Sequence, residues 1–221
     1  MTDSTIPLDR LVAWLSRFTE LVTENRAYLT ELDSAIGDAD HGANMARGMT
    51  AVMDKLGDGA AAGAADELFK TVGMTLVTSV GGASGPLYGT FFLRMGMTAG
   101  GVPSFDGSSL GTALRAGLEG VVARGKAEAG DKTMFDAMEP ALDAYDAAIA
   151  GGSTIPDAAA AALVAAEAGR DATLPLVARK GRASYLGERS AGHLDPGATS
   201  TALLFQALSE TLSGSPAASG G

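Results

Sequence analysis

The sequence predicts an all-α fold, on two observations. Apolar residues recur at three- and four-residue steps in eight successive segments, which is the spacing of one face of an α-helix. Between these segments lie glycine-rich breaks, and alternation with a period of two residues, the pattern of a half-buried strand, is missing. A bundle of eight helices follows.

The eight helical segments can be placed in order along the chain. They cover 8–32, 45–56, 68–76, 87–95, 110–121, 138–149, the alanine-rich stretch after Pro156, and 203–212. The glycine-rich breaks fall at 81–85, 100–107, 151–152 and 192–197. Residues 1–212 are long enough for one well-packed domain. The Ser, Gly, Ala and Pro residues of 213–221 predict a disordered tail.

Composition excludes several classes of function. The chain has 26 acidic and 16 basic residues, for a net charge of -10, which argues against a nucleic-acid partner because that affinity comes from clustered Lys and Arg. Cysteine is absent, so there is no thiolate metal site or cysteine nucleophile. The N-terminus lacks the features of a signal peptide, and no apolar run predicts a membrane span. We expect a cytoplasmic protein.

A cluster of carboxylates marks the first candidate site. Asp33, Asp38 and Asp40 lie within eight residues, around a break between two helices. Oxygen ligands of this kind select Mg²⁺, Ca²⁺ or Mn²⁺ over softer metals. Asp38 and Asp40 could instead cap the next helix. A bound cation would remove the mutual repulsion of three close carboxylates, which a cap would not, so the metal site is favoured.

Two glycine-containing segments run directly into helices. Residues 81–86 precede one helix and 195–200 open the last, so backbone N–H groups and the positive helix end could receive a phosphate at either place. Each segment alone is better explained by an ordinary turn. Together with the carboxylate cluster, they predict a convergent anion site.

The basic and histidine residues allow more than one role. Residues 179–182 contain two arginines and a lysine, which could offset phosphate charge or could form a solvated helix end. His41 and His193 lie in loops rich in Gly and Asp. Nucleotide contact, metal ligand and plain loop residue all stay open for both.

Five segments together resemble one family. They are 38–44 (DADHGAN), 81–89 (GGASGPLYG), 130–134 (GDKTM), 179–190 (RKGRASYLGERS) and 195–200 (DPGATS). In this order they resemble the L subunit of bacterial dihydroxyacetone kinase. The likeness covers nearly the whole chain, and the strings are long and rare.

The resemblance implies an up-and-down barrel of eight antiparallel helices with ADP or ATP across one end and two Mg²⁺ ions. It implies that Asp33, Asp38 and Asp40 are the metal ligands. Phosphate contact by Ser84 agrees with its place at a helix start, whereas adenine contacts by Gly125 and Met134 rest on the resemblance alone. The nucleotide contacts that it implies are His41, Asn44, Ala83, Ser84, Gly125, Met134, Arg182, Asp195 and Gly197.

The resemblance also implies a division of labour. A separate K subunit holds dihydroxyacetone covalently on a histidine, and this chain supplies the phosphoryl group from its nucleotide, so we expect a phosphotransferase active only with its partner. Because the chain starts at the first L-type helix and ends soon after the last, we expect the phosphotransferase-linked version, in which a phosphohistidine on a third, M subunit recharges bound ADP.

Two further functions stay open to the sequence. One is an L-like subunit of an ATP-dependent kinase for another short ketose or a fatty acid. The other is a nucleotide-loaded coregulator that binds a transcription factor. A homodimer also stays open.

Overall fold

The computed structural model describes residues 5–57 and 63–214 of the chain. Within them lie nine α-helices, one 3₁₀ helix (Arg182–Ser190) and two strands of two residues each. The strands are β1 (Ile6–Pro7) and β2 (Ser104–Phe105). The helices are α1 (Leu8–Glu24), α2 (Arg26–Ile36), α3 (His41–Gly57), α4 (Ala65–Ser79), α5 (Ser84–Ala99), α6 (Gly107–Gly125), α7 (Phe135–Ala150), α8 (Ile155–Ala172) and α9 (Pro196–Ser213).

Eight of the helices close a ring around one hydrophobic core. From α3 to α9 each helix packs against the next, and α1 packs against both α3 and α9. Trp14 is fully buried in this core, and its indole Nε1 donates to the Leu204 carbonyl at 2.9 Å, which joins α1 to α9. The remaining helix, α2, contacts α3, α9 and the 3₁₀ helix. The all-α class predicted from the sequence is confirmed.

One of the eight predicted helical segments contains a break between two helices. The first segment, 8–32, divides at Asn25 into α1 and α2. The backbone N–H of Asn25 and its side-chain Nδ2 both donate to the Leu21 carbonyl, which ends α1. The buried apolar residue Leu29 of α2 continues the helical spacing of α1, so the break at Asn25 could not be predicted from the spacing of apolar residues.

The two strands and the chain end complete the fold. Ile6 pairs with Phe105 in an antiparallel ladder that is too short to produce an alternating sequence pattern. The last helix extends to Ser213, one residue beyond the predicted domain boundary, and 215–221 of the predicted tail lie outside the described residues. Among the described helices, none combines the length and the apolar character needed to cross a membrane.

Candidate functional site

A cavity of about 690 Å³ lies where the α2–α3 connection, the start of α5, the end of α6 and the start of α9 meet. The 3₁₀ helix and the segment before α7 complete its wall. Eleven of the twelve site residues predicted from the sequence line it: Asp33, Asp38, Asp40, His41, Ala83, Ser84, Gly125, Met134, Arg182, Asp195 and Gly197.

The three aspartates converge at one side of this cavity. Asp33, Asp38 and Asp40 each present a carboxylate oxygen within 4.8 Å of the others. Asp33 is buried, Asp40 is half-buried and Asp38 is exposed. A group of oxygen ligands at this separation, open to the cavity on one side, has the donor chemistry of a site for a hard divalent cation.

Asp33 also caps the following helix. Its Oδ2 accepts from the backbone N–H groups of Asp40 at 2.8 Å and His41 at 3.1 Å, which are two of the donors left free at the start of α3. The sequence raised Asp38 and Asp40 as candidate caps for this helix. The structure assigns these two hydrogen bonds to Asp33 of α2, whereas the carboxylate of Asp38 pairs with Arg182.

Backbone geometry brings the cluster together. A Cβ on Gly37 would lie 2.0 Å from Asp33 Oδ1, so only glycine leaves room for that carboxylate. Between the other two aspartates, Ala39 has a φ of 60°, a conformation that residues with a side chain rarely adopt. Strained backbone of this kind concentrates at functional sites.

Arg182 balances part of the negative charge. Its Nε lies 3.0 Å from Asp38 Oδ2, and both side chains are accessible to solvent. The 3₁₀ helix that carries it is held beside α2 by a small buried cluster of Ile36, Ala178 and Ala183. The basic segment 179–182 is therefore a wall of the cavity, since Arg179 and Lys180 line it as well.

His41 connects two helix starts beneath the cavity. Its Nδ1 lies 3.1 Å from Ser84 Oγ at the start of α5, and its Nε2 lies 3.0 Å from Ser200 Oγ in α9. Burial lowers the pKa of His41 below its usual value, against opposing effects of Asp33 and Asp40.

Asp195 and Lys132 are two buried ionisable residues that also line the cavity. Asp195 Oδ2 accepts from the Ala198 backbone N–H at 2.7 Å and so caps α9. Burial raises the pKa of Asp195 to about 7, although nearby Lys132 opposes the shift. Lys132 Nζ donates to the carbonyl oxygens of Thr173 and His193, and burial lowers its pKa.

Asn44 is the one predicted site residue that does not line the cavity. It is buried in α3, and its Oδ1 accepts from Arg47 Nη2 at 2.7 Å. A Cβ on Gly81 would lie 2.9 Å from Asn44 Nδ2, so the side chain packs behind the glycine-rich turn. A direct nucleotide contact by Asn44 stays a prediction.

Sequence reasoning missed three residues of this region. Lys132 lies inside the segment 130–134, where only Met134 was assigned a role. Tyr88 follows Ser84 by one helical turn and is indistinguishable by spacing from a core aromatic, although its OH bonds to Ser200 at 2.8 Å. Ser200 lies in the segment that opens α9 but had no assigned role.

Comparison with known proteins identifies the family. A family model described as the DAK2 domain matches residues 35–210. The chain belongs to the DAK2 domain family. The resemblance to bacterial dihydroxyacetone kinase L subunits that the motifs predicted is confirmed by the relatives of this DAK2-family chain.

Two relatives match over nearly their whole length. The ADP-binding subunit DhaL of a PTS-dependent dihydroxyacetone kinase from Lactococcus lactis is 47% identical over 207 residues, which is 94% of this chain and 99% of the relative. The ADP-binding subunit DhaL of the PEP-dependent dihydroxyacetone kinase from Escherichia coli is 46% identical, over 90% of this chain and 94% of the relative.

A solved structure shares the fold. The dihydroxyacetone kinase from C. freundii in complex with AMP-PNP and Mg²⁺ aligns with a TM-score of 0.69 and 30% identity, over 90% of this chain. This DAK2-family chain spans about a third of that protein, 33% of its length. The likeness agrees with the all-α architecture described above.

Proposed function

We propose that this chain is the nucleotide-binding subunit of a dihydroxyacetone kinase. It transfers a phosphoryl group from a magnesium-bound nucleotide to dihydroxyacetone that a separate K subunit holds. ADP stays bound and is recharged in place by a phosphohistidine carrier, the M subunit. The names of the two relatives, which are ADP-binding subunits of PTS- and PEP-dependent kinases, support both parts of the proposal.

One observation carries the proposal: three carboxylates and the starts of α3, α5 and α9 meet at a single cavity. Helix starts favour anions, because free backbone N–H groups and the positive end of the helix dipole lie there. Carboxylates repel anions. A site that places both around one cavity suits a phosphate that arrives together with a cation.

The carboxylate cluster fits Mg²⁺. All its ligands are oxygens, they come within 4.8 Å of one another, and Arg182 is paired with only one of the three aspartates. We infer that Asp33, Asp38 and Asp40 hold two Mg²⁺ ions. When bound, Mg²⁺ neutralises phosphate charge and aligns the phosphoryl group for transfer.

The remaining lining residues divide between the two ends of the nucleotide. Ser84 and Ala83, at the start of α5, and Gly197, at the start of α9, are the proposed phosphate contacts, with Arg182 as a charged partner. Gly125 and Met134 lie at the end of α6 and the start of α7 and are the proposed adenine contacts. No side chain of the site is proposed to bind the ketone.

A reconstituted assay tests this function. The purified chain is mixed with dihydroxyacetone alone, with its K subunit plus ATP, or with its K subunit plus a phosphohistidine carrier. We expect turnover only when both partners are present. Turnover by the single chain would refute the divided site, and sustained fast turnover on ATP alone would show that the nucleotide is an ordinary substrate.

A further inference from the structure

Lys132 joins three separate connections between helices. It lies in the segment before α7, its side chain is buried, and its ammonium group donates to two backbone carbonyls. One is the Thr173 carbonyl, after α8, at 2.7 Å, and the other is the His193 carbonyl, before α9. A buried ammonium group has lost its hydration, and charge-assisted bonds to these oxygens replace part of it. One side chain therefore holds the three connections together.

The backbone around Lys132 is held in an unusual conformation. Lys132 has a φ of 64°, in the left-handed region that residues with a side chain rarely adopt. On either side of it, the backbone N–H groups of Gly130 and Thr133 donate to the Asp136 carboxylate, at 2.6 and 2.8 Å. A strained conformation persists only where its surroundings impose it. The segment is therefore shaped so that the Lys132 side chain points into the protein.

The two connections that receive the ammonium group are also bonded to each other. The backbone N–H of Asp195 donates to Thr173 Oγ1 at 3.0 Å, and the backbone N–H of Gly192 donates to the Leu174 carbonyl at 2.8 Å. These bonds join the end of α8 to the start of α9 without Lys132. The Lys132 side chain then attaches the segment before α7 to this pair.

The attached segments carry two of the proposed nucleotide contacts. Met134, in the segment of Lys132, is a proposed adenine contact, and Gly197, at the start of α9, is a proposed phosphate contact. The two lie close together, because a Cβ on Gly197 would lie 3.3 Å from the Met134 backbone nitrogen. Lys132 lines the same cavity. We call the segment 130–134 the adenine wall and the start of α9 the phosphate wall.

We propose that Lys132 is a positioning residue that fixes the adenine wall to the phosphate wall. This inference rests on the proposed nucleotide site. A nucleotide that spans both walls gains from both only when their spacing is already correct, because ordering a mobile segment on binding costs affinity. A ligand that engages one wall does not meet this cost. Removal of the ammonium group should therefore weaken the whole nucleotide and spare its fragments.

Fragments of the nucleotide separate positioning from direct contact. Lys132→Met keeps an unbranched apolar stem and removes the ammonium group. We expect ADP with Mg²⁺ to bind about tenfold more weakly, whereas adenosine, and pyrophosphate with Mg²⁺, each keep their affinity within about twofold. Inhibition constants from displacement of labelled ADP measure the two fragments. An equal loss for either fragment would show that Lys132 acts on that fragment or on one wall alone, and would overturn positioning.

Lys126→Met is the matched control. Lys126 lies in the same connection and also has a positive φ, of 53°, but its side chain is exposed. The control removes the same charge from the connection without removing the bonds to the other two segments, so its ADP affinity should equal that of the native chain. If circular dichroism shows that Lys132→Met does not fold, Lys132→Gln takes its place. It keeps N–H donors without the charge and should show a smaller loss for ADP and none for the fragments.

The two proposals fail in different ways. Native ADP affinity of folded Lys132→Met would overturn the positioning role and leave the proposed function intact. If calorimetry shows that the native chain does not bind ADP with Mg²⁺, the proposed nucleotide site is refuted, and the role of Lys132 with it.

Discussion

The carboxylate of Asp33 accepts the backbone N–H of Asp40, seven residues later, at 2.8 Å. A residue of α2 thereby caps α3, and the same carboxylate belongs to the proposed metal cluster. A close crossing of the two helices holds the arrangement, because a Cβ on Gly42 would lie 2.1 Å from the Arg26 carbonyl. Metal binding and local folding therefore share one side chain.

This sharing predicts that two aspartates of the cluster differ in their effect on stability. Asp33→Ala leaves the N–H groups of Asp40 and His41 without their acceptor, which should lower the free energy of unfolding by about 1–3 kcal/mol. Asp38→Ala removes only a solvent-accessible ion pair with Arg182, worth about 0–1 kcal/mol. Both variants should lose metal binding.

Urea unfolding in the presence of EDTA measures the difference without a contribution from bound metal. Asp143→Ala is the control, since it breaks a comparable exposed contact, with Arg115 at 2.9 Å, away from the cavity. If Asp38→Ala were as destabilising as Asp33→Ala, the capping role of Asp33 would be wrong.

Gly37 is predicted to be essential for the metal cluster. A methyl group there would collide with Asp33 Oδ1 and displace it, so Gly37→Ala should weaken Mg²⁺-dependent ADP binding by at least about tenfold. Gly101→Ala is the control, because a Cβ at Gly101 meets nothing within 4 Å. Native-like ADP affinity of Gly37→Ala in calorimetry would show that the carboxylate can sit elsewhere.

The raised pKa of Asp195 should make the free energy of unfolding depend on pH. Its pKa is raised by burial from 3.8 to about 7, so between about pH 4 and 7 the folded protein keeps a proton that the unfolded chain has lost. The unfolded state then binds fewer protons, and the free energy of unfolding falls as pH rises through this window.

The neutral variant Asp195→Asn lacks this dependence. Relative to it, the native protein should lose on the order of a few kcal/mol of stability between about pH 4 and 7. Urea unfolding of both proteins across this range isolates the contribution, because the other titrating groups are common to both. A constant difference between the two proteins would mean that Asp195 titrates normally.

The sequence predicted those parts of the fold that periodicity records. Apolar residues at helical spacing located the helices. Because α1 and α2, on either side of Asn25, both bury apolar residues, this spacing continues across Asn25 and predicted a single helix. The 3₁₀ helix was not predicted, and it depends on Gly181 and Gly187, whose φ values of 64° and 57° show only in three dimensions.

The candidate site was predictable where charge repulsion or a rare motif marked it. Three close carboxylates predicted one wall of the cavity, and the motifs predicted the other walls. The buried residues Lys132 and Tyr88 were not predicted to belong to the site. In the sequence, a lysine is expected at the surface and an aromatic residue at this helical spacing is expected in the core, and only the folded structure shows that both lie at the cavity. Nothing in the sequence shows that Asp33 rather than Asp38 caps α3.

The proposed in-place recharging predicts that the nucleotide is retained. Carboxylates, helix starts and basic residues surround the cavity together, so release of ADP with its Mg²⁺ should be slow. We expect the protein to purify with ADP and to exchange it for labelled ATP much more slowly than the reconstituted enzyme turns over. Nucleotide-free protein with rapid exchange would contradict tight retention.

Titration calorimetry of ADP, with and without Mg²⁺, tests the role of the carboxylate cluster most directly. Asp38→Asn removes one negative charge and preserves size, and Asp143→Asn serves as the matched control. We predict that the native chain and the control bind ADP only when Mg²⁺ is present, and that Asp38→Asn loses affinity for both ligands together by at least about tenfold. Equal ADP affinity of Asp38→Asn and the native chain, or native binding without Mg²⁺, would contradict a magnesium-held nucleotide at Asp33, Asp38 and Asp40.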